Sequence, residues 1–403
     1  MKIAIVGSGP SGLYTALLTK ENIPDADIYI FDKEAKVGRK MYATGNGKCN
    51  ILNKNLNKKS FKNGEKFSKA FEVYNFKKLK SVFDRWGLEI CCIDEYAYPM
   101  SFSAGSVVKF LTQKCQNNGI KIILNTTVFE YAKKGNKYYL NTNNTKFDGF
   151  DFDILVMAGG GKSQSKLGSD GSIAHILSLH GYQLNEFKPG LAPIKVKEIE
   201  GLSHVNGLRH KAEVSIYDKS NTLLFSEKGE VLFKNDGISG IVIFNCESFI
   251  VRNNLSACEI RLDLFPDFSA DEIIDKFKGS FSKNGFLFLN GWLEQGFIDY
   301  ILKRLRIKSQ QQIAMTNLKD MSKLLKSLSF TYKESYGFDQ SQVSVGGIDI
   351  DCLSSSLESI KEPGLFVAGE LVDVDGFCGG NNLSWCLISS LLISKKLKEI
   401  SHR

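Results

Sequence analysis

The feature that most constrains this chain is a strand, a glycine turn and a helix packed into its first twenty residues. Lys2-Ile3-Ala4-Ile5-Val6 reads as a buried strand, Gly7-Ser8-Gly9-Pro10-Ser11-Gly12 as a tight turn, and Leu13 to Lys20 as a helix. Asp27 to Phe31 predicts a second strand, with Asp32 just after it and twenty residues beyond Gly12. This order specifies a βαβ unit that binds an adenine dinucleotide. Gly7 permits the turn, Gly9 lets the backbone approach a pyrophosphate, and Gly12 lets the helix sit close to the sheet. The helix start at Pro10 and Ser11 offers partial positive charge to phosphates, while Asp32, followed by Lys33, can accept hydrogen bonds from ribose hydroxyls.

The remaining bulk properties narrow the class. At 403 residues the chain exceeds what one hydrophobic core usually supports, so more than one domain is expected. Lys and Arg outnumber Asp and Glu by 52 to 44, a mild excess that identifies no partner. The densest basic stretch, Lys54 to Lys80, interleaves lysines with Phe61, Phe67, Phe71, Tyr74 and Phe76. Nucleic-acid surfaces carry such patterns, but the spacing also suits an amphipathic helix with a solvated face, and that reading leads. Nine cysteines with no Cys-x-x-Cys pair, and only five histidines, point to a reducing compartment and to no metal site. The strand begins so near Met1 that a signal peptide has no room, which predicts a cytoplasmic protein. The longest apolar run, Leu387 to Ile393, is far shorter than the ~20 residues of a membrane span.

Further along, Val107 to Asn118 predicts a helix, Ile120 to Asn125 a strand, and Asp153 to Ala158 a central parallel strand ending on Gly159-Gly160-Gly161. From about Lys188 short strands are expected at Leu191 to Val196, Ala212 to Tyr217, Thr222 to Phe225 and Gly240 to Phe244. Ser269-Ala270-Asp271-Glu272 is a capping-box pattern that opens a helix, and two more helical patterns cover Trp292 to Leu305 and Leu318 to Leu328. Strands return at Val343 to Ile348 and Gly364 to Ala368, and Asn382 to Ile400 reads as a closing helix. The expected architecture is α/β: a Rossmann-like domain (1–189 and 343–403), interrupted by a β-rich domain (190–262 and 330–342) that carries a helical subdomain (263–329).

The distant segments choose FAD over NAD. Pro363 to Glu370 is a strand ending in Ala368-Gly369-Glu370, and Val374-Asp375-Gly376-Phe377-Cys378-Gly379-Gly380-Asn381-Asn382 is a glycine-rich turn entering the last helix. An NAD domain needs no such closure. Glu370 or Asp373 can bond the ribityl chain, and the helix starting near Asn382 and Leu383 can aim its N–H groups at the flavin, where a positive helix end stabilises reduced anion. A second glycine fingerprint for a resident nicotinamide domain is missing, since Gly237-Ile238-Ser239-Gly240 lacks the spacing; NAD(P)H remains possible as a transient donor.

At these residues the chain resembles a bacterial FAD-binding family that includes aminoacetone oxidases and a reductase of bile-acid metabolism. The resemblance is carried by Gly38-Arg39-Lys40-Met41-Tyr42-Ala43-Thr44-Gly45-Asn46-Gly47-Lys48-Cys49-Asn50, by Gly168-Ser169-Asp170-Gly171, by Val345-Gly346-Gly347-Ile348, and by the two C-terminal segments. It implies a two-dinucleotide-type FAD fold with an insertion, and places the 38–50 loop beside the pyrophosphate and flavin. Arg39 and Lys40 would then offset phosphate charge, Thr44 and Asn46 would bond cofactor edges, Val128 would face the adenine, and Ala158-Gly159-Gly160 would pass the diphosphate or ribityl chain.

Two departures from that family matter. Where its members carry Gly-Arg before an aromatic-Pro pair, this chain has Glu95-Tyr96-Ala97-Tyr98-Pro99, and Cys378 stands in a threonine position. Cys49 and Cys378 are either a redox pair near the flavin or small residues tolerated in tight loops. No catalytic acid or base is named by the sequence, and His175 and His180 read as surface or packing residues. The leading expectation is an FAD-dependent oxidoreductase that passes a hydride through flavin N5 to or from a small molecule, by amine oxidation or C=C reduction. The alternatives are a tRNA-modifying flavoenzyme and a flavin redox sensor without turnover.

Overall fold

In the computed structural model, residues 1–402 are described, and the chain divides into two compact units, 1–190 with 338–403, and 191–337. The first is organised by five parallel strands: β1 (Lys2–Val6), β2 (Asp27–Phe31), β3 (Lys121–Ile123), β4 (Ile154–Met157) and β5 (Leu365–Val367). Their order in the sheet is β5-β4-β1-β2-β3. β1 therefore pairs with β2 on one side and β4 on the other, in the registers Ile3 with Ile28 and Ile3 with Ile154. Such central strands are buried on both faces and read as continuous apolar runs, as Ile154-Leu155-Val156-Met157 does here. The chain leaves β1 in two directions, and ligands bind parallel sheets at the carboxyl ends of strands at such a reversal.

Three helices frame this sheet: α1 (Pro10–Asn22), α2 (Ala104–Asn117) and α3 (Asn381–Ser401). α1 and α3 meet through small polar residues rather than large apolar ones. Thr15 Oγ1 donates to Ser390 Oγ at 2.9 Å and Ser390 Oγ to the Ser11 carbonyl at 3.1 Å, while Ser389 Oγ accepts from Gly369 N, in the turn after β5, at 3.2 Å. Trp385 on α3 is buried, donates its indole N–H to the Gly369 carbonyl at 3.1 Å, and packs against Phe67 with ring centroids 5.0 Å apart. Phe61 and Phe71 stack on each other at 4.7 Å in the same core, so three of the aromatics between Lys54 and Lys80 point inward while Lys54, Lys59, Lys69, Lys77 and Lys78 stay exposed. That segment is amphipathic, and Phe61, Phe67 and Phe71 are unavailable for stacking on a nucleic acid.

The second unit is built on a closed six-stranded barrel, in the order Ile194–Val196, Gly237–Ser239, Leu223–Lys234, Arg209–Tyr217, Glu259–Asp263 and Leu328–Ser335. The helix Ala270–Asn284 starts on the expected capping box, with Ser269 Oγ accepting from Glu272 N and the Glu272 carboxylate accepting from Ser269 N. Helices Gln295–Arg304 and Leu318–Lys326 pack into the same core as the barrel strands. One expectation is corrected: Gly240 to Phe244 is no strand but the start of a helix, Ile241–Arg252. Its Ile-Val-Ile run favours a strand locally, but Val242, Ile243, Cys246 and Ile250 fall at helical spacing and are all buried against the barrel, which overrides propensity. Gly237-Ile238-Ser239 is an antiparallel barrel strand, the wrong setting for a second dinucleotide turn.

No helix among the described residues is long and apolar enough to cross a membrane.

Candidate functional site

The carboxyl ends of β1, β2, β4 and β5 lie along one edge of the sheet, and the segments named from sequence leave from that edge. After β1 the three glycines separate by steric role. A Cβ on Gly7 would lie 2.4 Å from the Ala158 carbonyl oxygen, and one on Gly12 only 1.9 Å from the Gly7 carbonyl oxygen. A Cβ on Gly9 would meet nothing within 4 Å. The first two glycines thus serve packing, and Gly9 faces open space at the start of α1. That helix has no side-chain cap and no acidic residue in its first turn, so its N–H groups and positive end are left for an anion.

Asp32, after β2, is fixed by the turn itself. Its Oδ2 accepts from Ser8 N at 2.7 Å and from Ser8 Oγ at 2.5 Å, and its Oδ1 from Glu34 N at 2.9 Å. Thr126 N donates to the Asp32 carbonyl at 2.8 Å, which draws the start of the strand Val128–Lys134 to the same corner. Three cations of the next segment are paired: Lys33 with Asp170 at 2.5 Å, Arg39 with Glu34, and Lys40 with Glu370 at 2.8 Å. Lys33 and Lys40 thereby tie the 33–50 segment to two other loops of the edge, and Arg39 braces the segment internally. Thr44, Gly45 and Asn46 form its outer turn, with Gly45 and Asn46 exposed and in the left-handed region.

At the far end of the edge the glycine-rich loop closes on itself and on this segment. Asn382 Oδ1 accepts from Gly376 N and its Nδ2 donates to the Gly376 carbonyl, both at 2.8 Å. Asn53 Nδ2 donates to the Gly379 carbonyl at 2.7 Å, and a Cβ on Gly380 would lie 2.5 Å from the Leu52 carbonyl oxygen. α3, like α1, begins without a side-chain cap or an acidic first turn, and Asn381 keeps a buried Oδ1 with no protein partner. Ala158-Gly159-Gly160 runs between the two ends: Ala158 N donates to the Val6 carbonyl at 2.8 Å, and a Cβ on Gly160 would lie 2.8 Å from Ser169 Oγ. Glu370 Oε1 accepts from Ser344 N at 2.9 Å, and Ser344 Oγ accepts from Lys162 N at 2.7 Å and Ser163 N at 3.0 Å.

Asp373 is turned away from open space. It is buried, its Oδ1 accepts from Lys62 Nζ at 2.7 Å, and its Oδ2 accepts from Asn185 Nδ2 at 2.9 Å and Asn63 Nδ2 at 3.3 Å. The backbone continues the lacing: Lys62 N donates to the Asp375 carbonyl at 2.9 Å and Phe377 N to the Ser60 carbonyl at 3.0 Å. Lys62, Asn63, Asn185 and Ser344 were missed in the sequence, and no local spacing could have joined Lys62 to a carboxylate 311 positions away.

Cys49 is fully buried, and burial pushes its thiol up to about 11, opposed by a hydrogen bond from Thr44. A thiol so raised stays protonated and unreactive at neutral pH. Cys378 is partly exposed. Iodoacetamide at pH 8 is therefore expected to label Cys378 in the native protein and spare Cys49 until the pH climbs toward 11 or the chain unfolds. Peptide mass mapping checks this, and native labelling of Cys49 at pH 8 would contradict it. Of the two histidines on the helix Ser172–Leu179 and its cap, His180 stacks on Tyr131 at 3.8 Å and His175 is exposed. No group of His, Cys, Asp or Glu that could hold a metal is found among the described residues.

Comparison with known proteins places this arrangement. A family described as HI0933-like protein Rossmann domain matches residues 1–396. A 3-dehydro-bile acid delta(4,6)-reductase of Clostridium scindens is 27% identical over 99% of both chains. A ribosomal RNA dihydrouridine synthase of Haemophilus influenzae is 24% identical over 96% of both. Among solved structures, the 3-ketosteroid delta1-dehydrogenase of Sterolibacterium denitrificans shares the fold, with a TM-score of 0.52 at 9% identity over 99% of both chains.

Proposed function

The chain belongs to the HI0933-like Rossmann family, and on that premise we propose that it is an FAD-dependent oxidoreductase that reduces a carbon–carbon double bond. The observation that carries this is the pair of uncapped helix starts on one sheet edge, α1 beside Gly9 and α3 beside Gly380. A molecule with an anionic pyrophosphate and a second, electron-rich end fits both. The residues present accept FAD: open space in front of Gly9, free helix N–H groups and the unpaired Asn381 Oδ1 are what a pyrophosphate and a flavin edge would satisfy. Bound there, FAD supplies two-electron chemistry through its N5.

The chain's own part is to hold and orient. Asp32, kept in place by Ser8, would accept from the adenosine ribose, and Val128 would meet the adenine. The 44–50 turn, which meets Gly380 through Asn50, and the 376–383 loop, held by Asn53, would hold the flavin end. Lys40 and Glu370 neutralise one another and brace the loop after β5.

Reduction is favoured over amine oxidation by the relatives, since a delta(4,6)-reductase and a dihydrouridine synthase both carry names for adding hydrogen across a C=C bond. A conjugated small-molecule enone is the leading substrate class. Uridine in RNA is the second reading, favoured by the synthase relatives and by the exposed lysines of the 54–80 segment. Nine free cysteines fit a reducing cytoplasm.

The purified protein is expected to show flavin absorption. Once reduced anaerobically it should be reoxidised by a conjugated steroid enone, giving a product heavier by two hydrogens. Reoxidation by uridine-containing ribosomal RNA, with dihydrouridine appearing, selects the second reading. Reoxidation by oxygen alone, with amines as the only reductants, overturns both.

A further inference from the structure

We propose that a groove between the segment 36–42 and α2 is the docking site for the adenosine-phosphate half of a pyridine dinucleotide, the two-electron donor of this enzyme. The inference rests on the reading of the chain as an FAD oxidoreductase, because such a catalyst consumes electrons that something must deliver.

The groove holds about 410 Å³, within the range of small-molecule sites. Its floor is aliphatic, with Val108 buried beneath it. One wall is Tyr42, 47% exposed despite its size. The opposite rim is a stripe of α2, where Lys109, Gln113 and Gln116 recur at helical spacing. Gly105, one turn earlier on that stripe, brings the helix against the tyrosine, since a Cβ there would lie 3.4 Å from the Tyr42 ring. The ring therefore rests on the helix start and still presents apolar surface to solvent.

Charge makes the groove selective. Lys33, Arg39 and Lys40 each have a carboxylate partner, whereas Lys36 and Lys109 have none among the described residues. No carboxylate lines the groove. Two uncompensated ammonium groups, two carboxamides and an uncovered aromatic ring match a phosphorylated purine nucleoside: phosphate against lysine, base edges against glutamine, the base on the ring. A bare phosphate would use only the first of these. Position supplies the rest of the argument, because Tyr42 belongs to the 38–50 segment whose last residue, Asn50, lies against Gly380 of the 376–382 loop, 2.8 Å from where a Cβ there would stand.

Calorimetric titration of the FAD-loaded protein at low salt tests this with NADP+, NAD+ and inorganic phosphate as probes. One dinucleotide or both should bind with clear preference over phosphate, and the ratio between them identifies the natural donor. The double variant Lys36→Gln/Lys109→Gln should bind roughly tenfold more weakly, and Tyr42→Ala severalfold more weakly, with flavin absorption and melting temperature unchanged. Binding that the variants leave within about twofold overturns the proposal. So does equal affinity for phosphate, or a wild-type protein that binds neither dinucleotide. A double variant that loses affinity for a ribosomal RNA fragment while keeping it for dinucleotide assigns the groove to RNA instead. If the wild-type protein proves colourless and refuses FAD, the reading as a flavoenzyme fails separately, and the same titration on that protein still decides the groove.

Discussion

Replacing Gly9 with alanine is expected to leave the protein folded and to deprive it of most of its affinity for FAD. The backbone at Gly9 has φ −70° and ψ −175°, which alanine adopts without strain. The added methyl touches no protein atom within 4 Å, so the apoprotein should melt within a degree or so of wild type. The methyl instead enters the space before α1 where the pyrophosphate must approach. Forcing a methyl into a packed contact costs about 1–3 kcal/mol, roughly 5- to 150-fold in affinity. Gly12→Ala is the contrasting case, because its Cβ would collide with the Gly7 carbonyl oxygen at 1.9 Å and the whole turn would suffer. Flavin fluorescence gives the dissociation constants and differential scanning the melting temperatures. An unchanged FAD affinity in Gly9→Ala would remove the dinucleotide from this turn.

The second large effect is expected at Asp373. Its carboxylate gathers Lys62 and Asn185, with a longer contact to Asn63, into the floor below the glycine-rich loop. Asp373→Ala leaves the Lys62 ammonium, 26% exposed, without its counter-ion, and breaking this half-buried pair costs about 1–3 kcal/mol. Denaturant titration of the apoprotein should show this loss. Flavin affinity should fall as well, as a consequence of a loosened loop. Were Asp373 instead a direct ligand of the ribityl chain, the variant would lose FAD affinity while the apoprotein kept its stability, so the two roles separate in one experiment.

Legibility of the chain followed locality. The turn from Val6 to Gly12 and the strand Asp27–Phe31 could be read because their signals, glycine spacing and continuous apolar runs, lie within one short window. Ser269 announced its helix for the same reason. The two halves of the site were legible separately, as a glycine turn near the start and a glycine-rich loop near Gly380, since each must approach a ligand closely. Their mutual fastening was not. Asn53 to Gly379 and Lys62 to Asp373 join residues more than 300 positions apart, and nothing in the residue types marks a lysine for one carboxylate rather than another. Ile241–Arg252 misled because β-branched residues are chosen there for filling the barrel's core, a requirement set by neighbours distant in sequence. The groove under Tyr42 was invisible for a related reason: an unpaired lysine is recognised only once the paired ones are known.

The seam between α1 and α3 has a consequence for synthesis. Ser11 and Thr15 emerge early, whereas Ser390, which bonds to both, follows 375 residues after Thr15. Until then β4 has no β5 beside it, and an unpaired strand edge is a template for association with other chains. The nascent protein must carry an open sheet while the 191–337 unit is translated, and contacts of such long separation close slowly. On the ribosome, the interval before the last helix appears is the period in which this chain most needs a chaperone, and truncation within α3 should yield aggregates rather than a smaller soluble enzyme.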